Sequence, residues 1–248
     1  MIDINALSYW FPKIEAAGLP VPKTALVKMP LDAQKLIWAG FDGEEGAPEQ
    51  NQAGREFFAE IESAARAMGL PCFLRTDHTS AKHEWEKTCF ISDPLQIPGH
   101  VFAIAEYSEM AGIMGLPWHT WAVRELLPTI PLGTCPRYGH MPICREFRAF
   151  VDGGALKCVH PYWPKKALEE GGADAALDYD NLCSTDISFD GLCRRDDRQL
   201  IRDLAQAAGA SVGGSWSVDV LETRRGWYVT DMAVAADSFH WPSCEFAH

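Results

Sequence analysis

Two aspartates stand in the middle of neighbouring strands that the last part of the chain predicts. Asp219 and Asp231 each lie in an alternating segment, on either side of residues 224–226. If those three residues form the turn, the aspartates are directly opposite, with Cβ atoms about 5 Å apart. Carboxylates this close repel each other unless a positive charge lies between them, and Mg²⁺ prefers such ligands together with phosphate and water. The hairpin therefore predicts a magnesium site; the alternative is that one or both aspartates pair with an arginine on a neighbouring strand.

An earlier hairpin is rich in cations. The segment 144–160 consists of two alternating stretches joined by an Asp-Gly-Gly turn. Alternation places Glu146 and Arg148 on one face of the strand and Arg145 on the other. A short turn would bring Lys157 opposite Arg148, and a phosphate chain fits between such cations because arginine binds phosphate oxygens through two parallel N–H donors. The alternative is a surface ladder of arginine and glutamate.

Two further strand ends carry polar groups. An apolar segment ends at Arg75, and a loop rich in hydroxyl groups leads from it to Lys82. This pattern is consistent with a loop that covers phosphates, although the chain contains no Walker motif; the alternative is an ordinary polar turn. The apolar strand 121–126 ends just before Pro128, and backbone groups at such an end could bind the edge of an adenine ring.

Several elements must position these groups. Apolar spacing and terminal glycines predict helices, while alternation and β-branched residues predict strands. Mixed helices and antiparallel hairpins favour an α+β fold over a doubly wound parallel sheet. Polar segments at 42–54 and 164–186 predict loops, and the second is long enough to carry a short helix around Ala167-Leu168 or to act as a lid. The predicted helices are 8–17, 55–68 and 199–208, and the further predicted strands are 24–27, 71–75, 99–107 and 121–126.

Composition limits the classes of function. The chain of 248 residues is 47% hydrophobic and 23% charged, which is typical of a globular protein, and its net charge of −12 argues against binding to nucleic acid or an anionic membrane. No apolar run reaches the roughly 18 residues of a membrane helix. The start lacks a secretory signal, so we expect a cytoplasmic protein with reduced thiols. The cysteine spacing does not predict zinc: Cys158-Val-His160 comes closest to a ligand pair, and small buried thiols are the favoured interpretation.

Six segments, in this order, resemble the ATP-grasp superfamily across nearly the whole chain. More narrowly, the chain resembles the branch in which an arginine replaces a phosphate-contacting strand lysine. It is also similar to the cell-division-cycle-123 proteins in its Arg-Glu-Phe-Arg strand and late aspartate strands. Two motifs depart from the family: the flap reads Asp-His-Thr-Ser-Ala instead of glycine-rich, and the last metal strand lacks the usual asparagine. The segments are GLPVPKT (18–24), FLRT (73–76), VRELLP (123–128), REFRAFV (145–151), SVDV (217–220) and VTDMA (229–233).

The resemblance implies two α+β lobes whose antiparallel sheets clamp ATP. The N-terminal lobe would be residues 1–124, with a flap at 76–83, and the C-terminal lobe residues 125–248. The implied site residues are Arg75 at the α- and β-phosphates, Lys82 on the flap, Glu125 and Leu126 at adenine and ribose, Lys23 and Lys157 as further nucleotide contacts, Arg148 or Arg145 at the γ-phosphate, and Asp219 and Asp231 at Mg²⁺.

The function implied is an ATP- and magnesium-dependent ligase that joins a carboxylate to an amine or thiol through an acylphosphate, with Arg148, Lys82 and Arg145 as its catalytic cations. The substrate would be a small-molecule or peptide carboxylate, for which Lys165 and Lys166 are possible binders.

The cell-division-cycle-123 resemblance implies an alternative, an ATP-binding assembly factor with a protein partner. In that case aromatic segments at 160–164 and 238–242 could dock the partner, unless they pack at the edge of the core. A small-molecule kinase is a further alternative, whereas the absence of Lys-x-Asp-Gly disfavours an RNA ligase.

Overall fold

The computed structural model describes residues 3–41, 52–111, 115–170, 195–242, 244 and 246. Most of the two predicted loops, 42–51 and 171–186, and the side chain of Lys165 therefore lie outside the described residues. In the described part of the chain, no helix is long and apolar enough to cross a membrane. The helices are α1 (Leu7–Ala16), α2 (Leu31–Phe41), α3 (Gln52–Met68), α4 (Ile97–Met110), α5 (Lys165–Glu170) and α6 (Arg195–Val212). The strands are β1 (Thr24–Lys28), β2 (Cys72–Thr76), β3 (Phe90–Ile91), β4 (Thr120–Glu125), β5 (Gly133–Cys135), β6 (Met141–Ile143), β7 (Glu146–Asp152), β8 (Ala155–Pro161), β9 (Ser215–Thr223) and β10 (Gly226–Val234).

The chain divides into two compact units. The smaller unit comprises Lys23–Leu126 and Tyr138–Met141, and the larger unit comprises Met1–Pro22, Leu127–Arg137 and Pro142–His248. Each unit contains one four-stranded antiparallel sheet, in the order β1-β4-β2-β3 in the smaller unit and β10-β9-β7-β8 in the larger. Strands β5 and β6 form a separate two-stranded sheet.

The core of the smaller unit lies between one face of its sheet and helices α3 and α4. Leu74 of β2 and Val123 of β4 are direct partners in the ladder, and both belong to this core. Phe57 of α3 packs edge-to-face on Trp121, with ring centroids 6.0 Å apart. The same helix buries Ile61 one turn later, so its apolar spacing matches the helical period that the sequence predicts.

Helix α6 covers the apolar face of the sheet in the larger unit. Odd-numbered β7 residues such as Phe147 and Ala149 are buried, and their ladder partners Val220 and Val218 on β9 are buried as well. Helix α6 packs against this sheet, and α1 packs against α6 and β10. The opposite face of the sheet is therefore left to carry the polar residues of β7, β9 and β10.

The α+β prediction is confirmed, with antiparallel sheets and interspersed helices. The strand predicted at 99–107 is wrong, because these residues lie in helix α4. The short helix before α4 begins with a capping box formed by Asp93 and Gln96. The residues that α4 buries include Ile97, Val101 and Ile104, a helical spacing that the run of apolar residues obscures in the sequence.

The observed units differ from the predicted lobes in the placement of the first 22 residues. The boundary expected at 124/125 lies close to the observed change of unit after Leu126. Residues 1–22, however, cluster with the larger unit, since α1 buries Trp10 and Ile14 and packs on α6 and β10. The backbone carbonyl of Pro20 also accepts a hydrogen bond of 2.9 Å from the N–H of Val229.

Candidate functional site

A row of four polar side chains crosses the sheet of the larger unit. Asp231 on β10 pairs with Asp219 on β9, Asp219 pairs with Arg148 on β7, and Arg148 pairs with His160 on β8. Residues that are directly opposite in an antiparallel ladder project from the same face. The fold therefore brings together two carboxylates, one guanidinium and one imidazole on the face opposite α6.

The aspartates are opposite each other as predicted, but through a different turn. The turn between β9 and β10 has two residues, 224 and 225, because Thr223 pairs with Gly226. A bulge between Val229 and Asp231 then supplies the extra residue that the predicted three-residue turn would have provided. Because a bulge leaves one residue without a ladder partner, Asp231 changes face relative to Val229 and lies beside Asp219.

Arg148 and Asp219 form a bidentate ion pair. Arg148 Nε donates to Asp219 Oδ1 at 2.7 Å and Nη2 donates to Oδ2 at 2.8 Å. The two side chains are only 19% and 7% exposed, and the guanidinium lies 4.7 Å from the ring centroid of Tyr162. Burial opposes the charged guanidinium, but attraction to the Asp219 carboxylate outweighs it and raises the pKa of Arg148 above its ordinary range. The sequence left two interpretations of the aspartates open, a magnesium site and an ion pair with an arginine on a neighbouring strand. The structure contains the ion pair.

The donor set of the row also fits Mg²⁺. Each oxygen of Asp219 accepts one hydrogen bond from Arg148, and a carboxylate oxygen has a second acceptor position. Asp231 is half-buried, and its Oδ1 accepts a hydrogen bond of 3.1 Å from the N–H of Met232. Two carboxylates completed by phosphate and water are a usual environment for this ion. Asp219 and Asp231 are therefore the residues of this row that would hold the metal.

Lys157 does not lie opposite Arg148, and that expectation is wrong. The turn pairs Asp152 with Ala155, which moves the register by two residues from the predicted one. A bulge between the Phe150–Cys158 and Val151–Leu156 pairs moves it by one more, so His160 takes the predicted position of Lys157. The ammonium of Lys157 lies 3.9 Å from a carboxylate oxygen of Asp152, near the turn. The row therefore contains an imidazole where the sequence predicts a second cation.

Arg145 has a different partner from Arg148. Its Nε lies 3.6 Å from a carboxylate oxygen of Glu222, and its backbone carbonyl accepts a hydrogen bond from the Glu222 N–H. Of the two arginines that the sequence offers for the γ-phosphate, Arg148 is the one within the aspartate row.

In the smaller unit, two arginines lie on one face of the sheet. Arg75 pairs with Ala122 in the β2–β4 ladder, and Arg124 lies two residues further along the same strand, so both project away from the core that contains Leu74. The two arginines are 5% and 4% exposed. Arg75 Nε donates to the carbonyl of Thr76 at 3.0 Å, and Arg124 Nε donates to Thr24 Oγ1 at 3.1 Å.

The loop after Arg75 is a tight turn held by hydroxyl groups. Thr76 Oγ1 accepts from the N–H groups of His78 and Thr79, and Thr79 Oγ1 accepts from the N–H of Ala81. Ala81 has a left-handed backbone conformation (φ 49°) immediately before Lys82, which begins a short 3₁₀ helix over Lys82–Lys87. Lys82 thus lies at a sharp change of chain direction, within the predicted flap 76–83.

Two hydrogen bonds join Lys23 to Glu125 at the predicted adenine-binding strand end, one to the Glu125 side chain and one between backbone groups. The N–H of Lys23 donates to Glu125 Oε1 at 3.0 Å, and the N–H of Glu125 donates to the carbonyl of Lys23 at 2.9 Å. Leu126 follows as a half-buried residue, and Lys23 is exposed. Glu125 and Lys23, which the sequence separates by about a hundred residues, are neighbours because β1 pairs with β4.

Some residues of these sites escape prediction from the sequence. Arg124 lies within a recognised motif, but only the ladder places it on the same face as Arg75. Tyr162 reaches the Arg148 guanidinium from just beyond the end of β8. A group of two cysteines and two histidines, described below, also escapes prediction, because its two halves are about eighty residues apart in the sequence.

Comparisons with known proteins give similarity in structure and none in sequence. The chain matches no protein-family model, and no curated protein matches its sequence. Its structure is similar to Cdc123 from Schizosaccharomyces pombe, with a TM-score of 0.56 at 14% identity over 92% of this chain and 82% of that one. A C-terminally truncated form of the same protein gives a TM-score of 0.55 at 14% identity and the same coverage. A D-alanine–D-alanine ligase from Bacillus anthracis, complexed with ATP, reaches 0.47 at 7% identity over 93% of this chain and 53% of that one, which is too low to support an argument.

The protein therefore has an α+β fold similar to that of Cdc123, and the expected similarity to cell-division-cycle-123 proteins is confirmed at the level of structure. At this identity the likeness establishes the fold and leaves the chemistry to the residues themselves.

Proposed function

We propose that this protein binds ATP with Mg²⁺ and uses it to join a carboxylate to an amine or a thiol. The cross-strand row Asp231–Asp219–Arg148 carries this proposal. It combines oxygen ligands suited to Mg²⁺ with a planar cation suited to phosphate oxygens, on one face of one sheet. Mg²⁺ held by the two aspartates would neutralise charge on the phosphates.

The proposed reaction has two steps. A carboxylate oxygen of the substrate attacks the γ-phosphorus of ATP, the bond to the β–γ bridging oxygen breaks, and ADP leaves with that electron pair. The amine nitrogen or thiol sulfur then attacks the acyl carbon of the acylphosphate, inorganic phosphate leaves, and the nucleophile loses its proton. Arg148 would stabilise the charge on the transferred phosphoryl group, because phosphoryl transfer depends mainly on positioning and charge neutralisation.

Residues of the smaller unit have proposed roles in holding the nucleotide. Arg75, which is buried near the end of β2, is proposed to contact phosphate oxygens, and Lys82 is proposed to neutralise the phosphates from the turn that follows. Glu125 and Leu126 are proposed to meet adenine and ribose, supported by their position at the end of β4. The hydrogen bond from the Lys23 N–H to the Glu125 carboxylate would keep that strand end in place.

The first test is the Mg²⁺ dependence of nucleotide binding. Ligand at about 100 times its dissociation constant stabilises the native state by about 2.7 kcal/mol, which raises the melting midpoint by several degrees. We expect ATP with Mg²⁺ to give such a shift in the wild type, and Asp231→Asn to lose the part of the shift that depends on Mg²⁺. Asp203→Asn, an exposed aspartate on α6, is the matched control and should keep the full shift. Equal Mg²⁺-dependent shifts in Asp231→Asn and wild type would remove Asp231 from the metal site.

The second test identifies the reaction. Hydroxylamine traps an acylphosphate as a hydroxamate, so incubation with ATP, Mg²⁺ and a panel of carboxylates should yield ADP and hydroxamate for an accepted acid. Phosphate found on a hydroxyl or amine of a substrate, with no hydroxamate, would instead identify a small-molecule kinase.

A second candidate function is an ATP-binding assembly factor without turnover. The bidentate Arg148–Asp219 pair favours it, because a carboxylate already engaged at both oxygens is a stable structural feature that needs no reaction to explain it. In this case bound ATP should be recovered intact after long incubation with every acid and amine tested. Acid-dependent ADP release at any measurable rate above the Asp219→Asn background would exclude this candidate.

A further inference from the structure

A group of four metal-binding side chains lies in the larger unit, apart from the aspartates of the row. Cys158 and His160 lie on β8, while His240 and Cys244 lie in the segment after β10. Each offers one ligand atom, and all four atoms lie within 4.8 Å of one another. Cys158 Sγ is 3.2 Å from His240 Nε2. The two cysteines and two histidines come from places about eighty residues apart, so the fold creates the group.

The elements around the group hold it in place. Cys158 and His160 are two residues apart on one strand and therefore project from the same face. The His240 ring stacks on Phe150 with a centroid distance of 3.9 Å and an interplanar angle of 7°. Trp241 is buried, and its Nε1 donates to the carbonyl of Pro161 at 3.0 Å, which fixes the segment against the end of β8.

A turn completes the arrangement. The N–H of Cys244 donates to the carbonyl of Trp241 at 3.0 Å, so the chain folds back three residues after the buried indole. This turn brings the Cys244 thiol to the side chains on β8. The C-terminal ligands are thus positioned by a hydrogen-bonded turn and an anchored tryptophan.

One atom of the group has no explanation within the protein. His160 Nε2 is buried and finds no hydrogen-bond partner among the described residues. A buried polar atom left in this state costs about 1–3 kcal/mol. A metal ion bound to the lone pair of this imidazole nitrogen would remove that cost.

We propose that Cys158, His160, His240 and Cys244 bind a structural Zn²⁺ ion. Tetrahedral zinc with bonds of about 2.3 Å to sulfur and 2.0–2.1 Å to nitrogen places its ligand atoms roughly 3.3–3.8 Å apart. The observed atoms lie within 4.8 Å of one another, so small side-chain rotations would close the site. Two sulfur and two nitrogen ligands favour zinc over magnesium or calcium, and four protein ligands leave no open position for a substrate.

The zinc ion would fasten the C-terminal segment to the edge of the sheet. Strand β8 lies at the end of the order β10-β9-β7-β8, and an uncovered edge strand is open to pairing with other chains. His160 also lies directly opposite Arg148 in the ladder, so the zinc site would border the aspartate row and hold the β8 side of that row rigid. The ion has a supporting role here and takes no part in the proposed phosphoryl transfer.

Metal content of the purified protein is the decisive measurement. The full chain, prepared without a polyhistidine tag or chelator, should contain about one zinc per chain by elemental analysis. Replacement of zinc by cobalt(II) should give the intense visible absorption of a tetrahedral site with thiolate ligands. Less than a tenth of one metal per chain after incubation with zinc, and no cobalt absorption, would overturn the proposal.

Variants distinguish the four ligands from other thiols. Cys244→Ser and His240→Gln change half-buried side chains of the C-terminal segment and should each lower zinc affinity at least tenfold in a competition assay with a chelator. Cys144→Ala, which alters a buried thiol outside the group in the same unit, should keep the zinc. Unchanged affinity in the doubly substituted Cys244→Ser, His240→Gln protein would overturn the proposal. So would a Cys158–Cys244 disulfide in protein that binds no metal after reduction.

Discussion

The two four-stranded sheets differ in the regularity of their ladders. In the smaller unit, β1, β4, β2 and β3 pair without a shift of register. In the larger unit, both hairpins contain a bulge, one beside Phe150 and one between Val229 and Asp231. A regular ladder repeats the alternation of the sequence, whereas each bulge reverses the faces of all later residues relative to earlier ones.

The bulge in β10 brings the two aspartates of the larger sheet onto one face. Val229 pairs with Val220 and is buried in the core, and Asp231, two residues later, lies on the other face with Asp219. Without the bulge, residues 229 and 231 would share a face, and a carboxylate would enter the apolar layer under α6. In the regular sheet, Arg75 and Arg124 need no such device because they already alternate with Leu74 and Val123.

Breaking the buried ion pair of the larger sheet should have the largest effect on stability. Asp219→Ala leaves the Arg148 guanidinium in a largely buried position without its carboxylate, which costs about 3–5 kcal/mol in comparable cases. Urea denaturation followed by tryptophan fluorescence would measure the change. The double variant Arg148→Met, Asp219→Leu removes both charges and should be much less destabilised than Asp219→Ala. A loss below about 1 kcal/mol in Asp219→Ala would mean that solvent reaches the guanidinium easily.

Two glycines test how closely helices pack on the two sheets. A Cβ added at Gly209 of α6 would collide with a methyl group of Val151, whereas one added at Gly99 of α4 meets nothing within 4 Å. Gly209→Ala should therefore destabilise the protein by about 1–3 kcal/mol through overpacking. Gly99→Ala should stabilise it by about 0.4–1 kcal/mol, because alanine has less conformational freedom to lose. Thermal unfolding of both variants gives the comparison, and equal signs would contradict it.

The regular parts of the structure are those that the sequence could predict. Alternation placed Glu146 and Arg148 on one face, and the valines flanking Asp219 marked its strand. The ladder partner of Arg148 on β8 could not be predicted, because the position of the turn and the bulge together move the register from Lys157 to His160, and the bulge depends on packing rather than on residue type. A bulge adds a single residue, and no local pattern in β8 signals it.

The sequence does not predict helix α4 or the full set of four proposed zinc ligands, and the two omissions have different reasons. The apolar run of α4 satisfies both a strand and a helix pattern over a short window, and only its burial separates the two. Cys158 and His160 are visible as a pair, but His240 and Cys244 become their neighbours only through the anchoring of Trp241 at Pro161. Ligand sets formed by distant segments need the tertiary fold before they can be recognised.

The loss of stability at acidic pH tests the contribution of a buried histidine in the smaller unit. Burial lowers the pKa of His100 on α4 below the ordinary histidine value of about 6.5, and its hydrogen bond to the carbonyl of Thr88 offsets this only partly. The unfolded chain therefore binds a proton more readily than the folded one, and stability is lost as the pH falls below about 6.5, by at most about 1.4 kcal/mol per pH unit. His100→Asn keeps an N–H donor near Thr88 but cannot titrate, so it should lose less stability between pH 7 and pH 5. Identical losses in the two proteins, measured by urea denaturation, would assign the acid sensitivity elsewhere.

An exposed ion pair in the smaller unit should have the smallest effect and thereby isolates the role of burial. Arg66 donates to Glu62 on α3 at 2.6 and 2.9 Å, distances close to those of Arg148 and Asp219, but the two side chains are 63% and 44% exposed. Arg66→Gln removes the charge and has a similar helix propensity, so it should cost only about 0.3–0.5 kcal/mol, and less in high salt, since water and ions screen the pair. If urea denaturation gave a loss like that of Asp219→Ala, hydrogen-bond length rather than burial would determine the strength of these pairs. A small, salt-sensitive loss would mean that the Arg148–Asp219 pair owes its larger effect to its position within the bulged sheet.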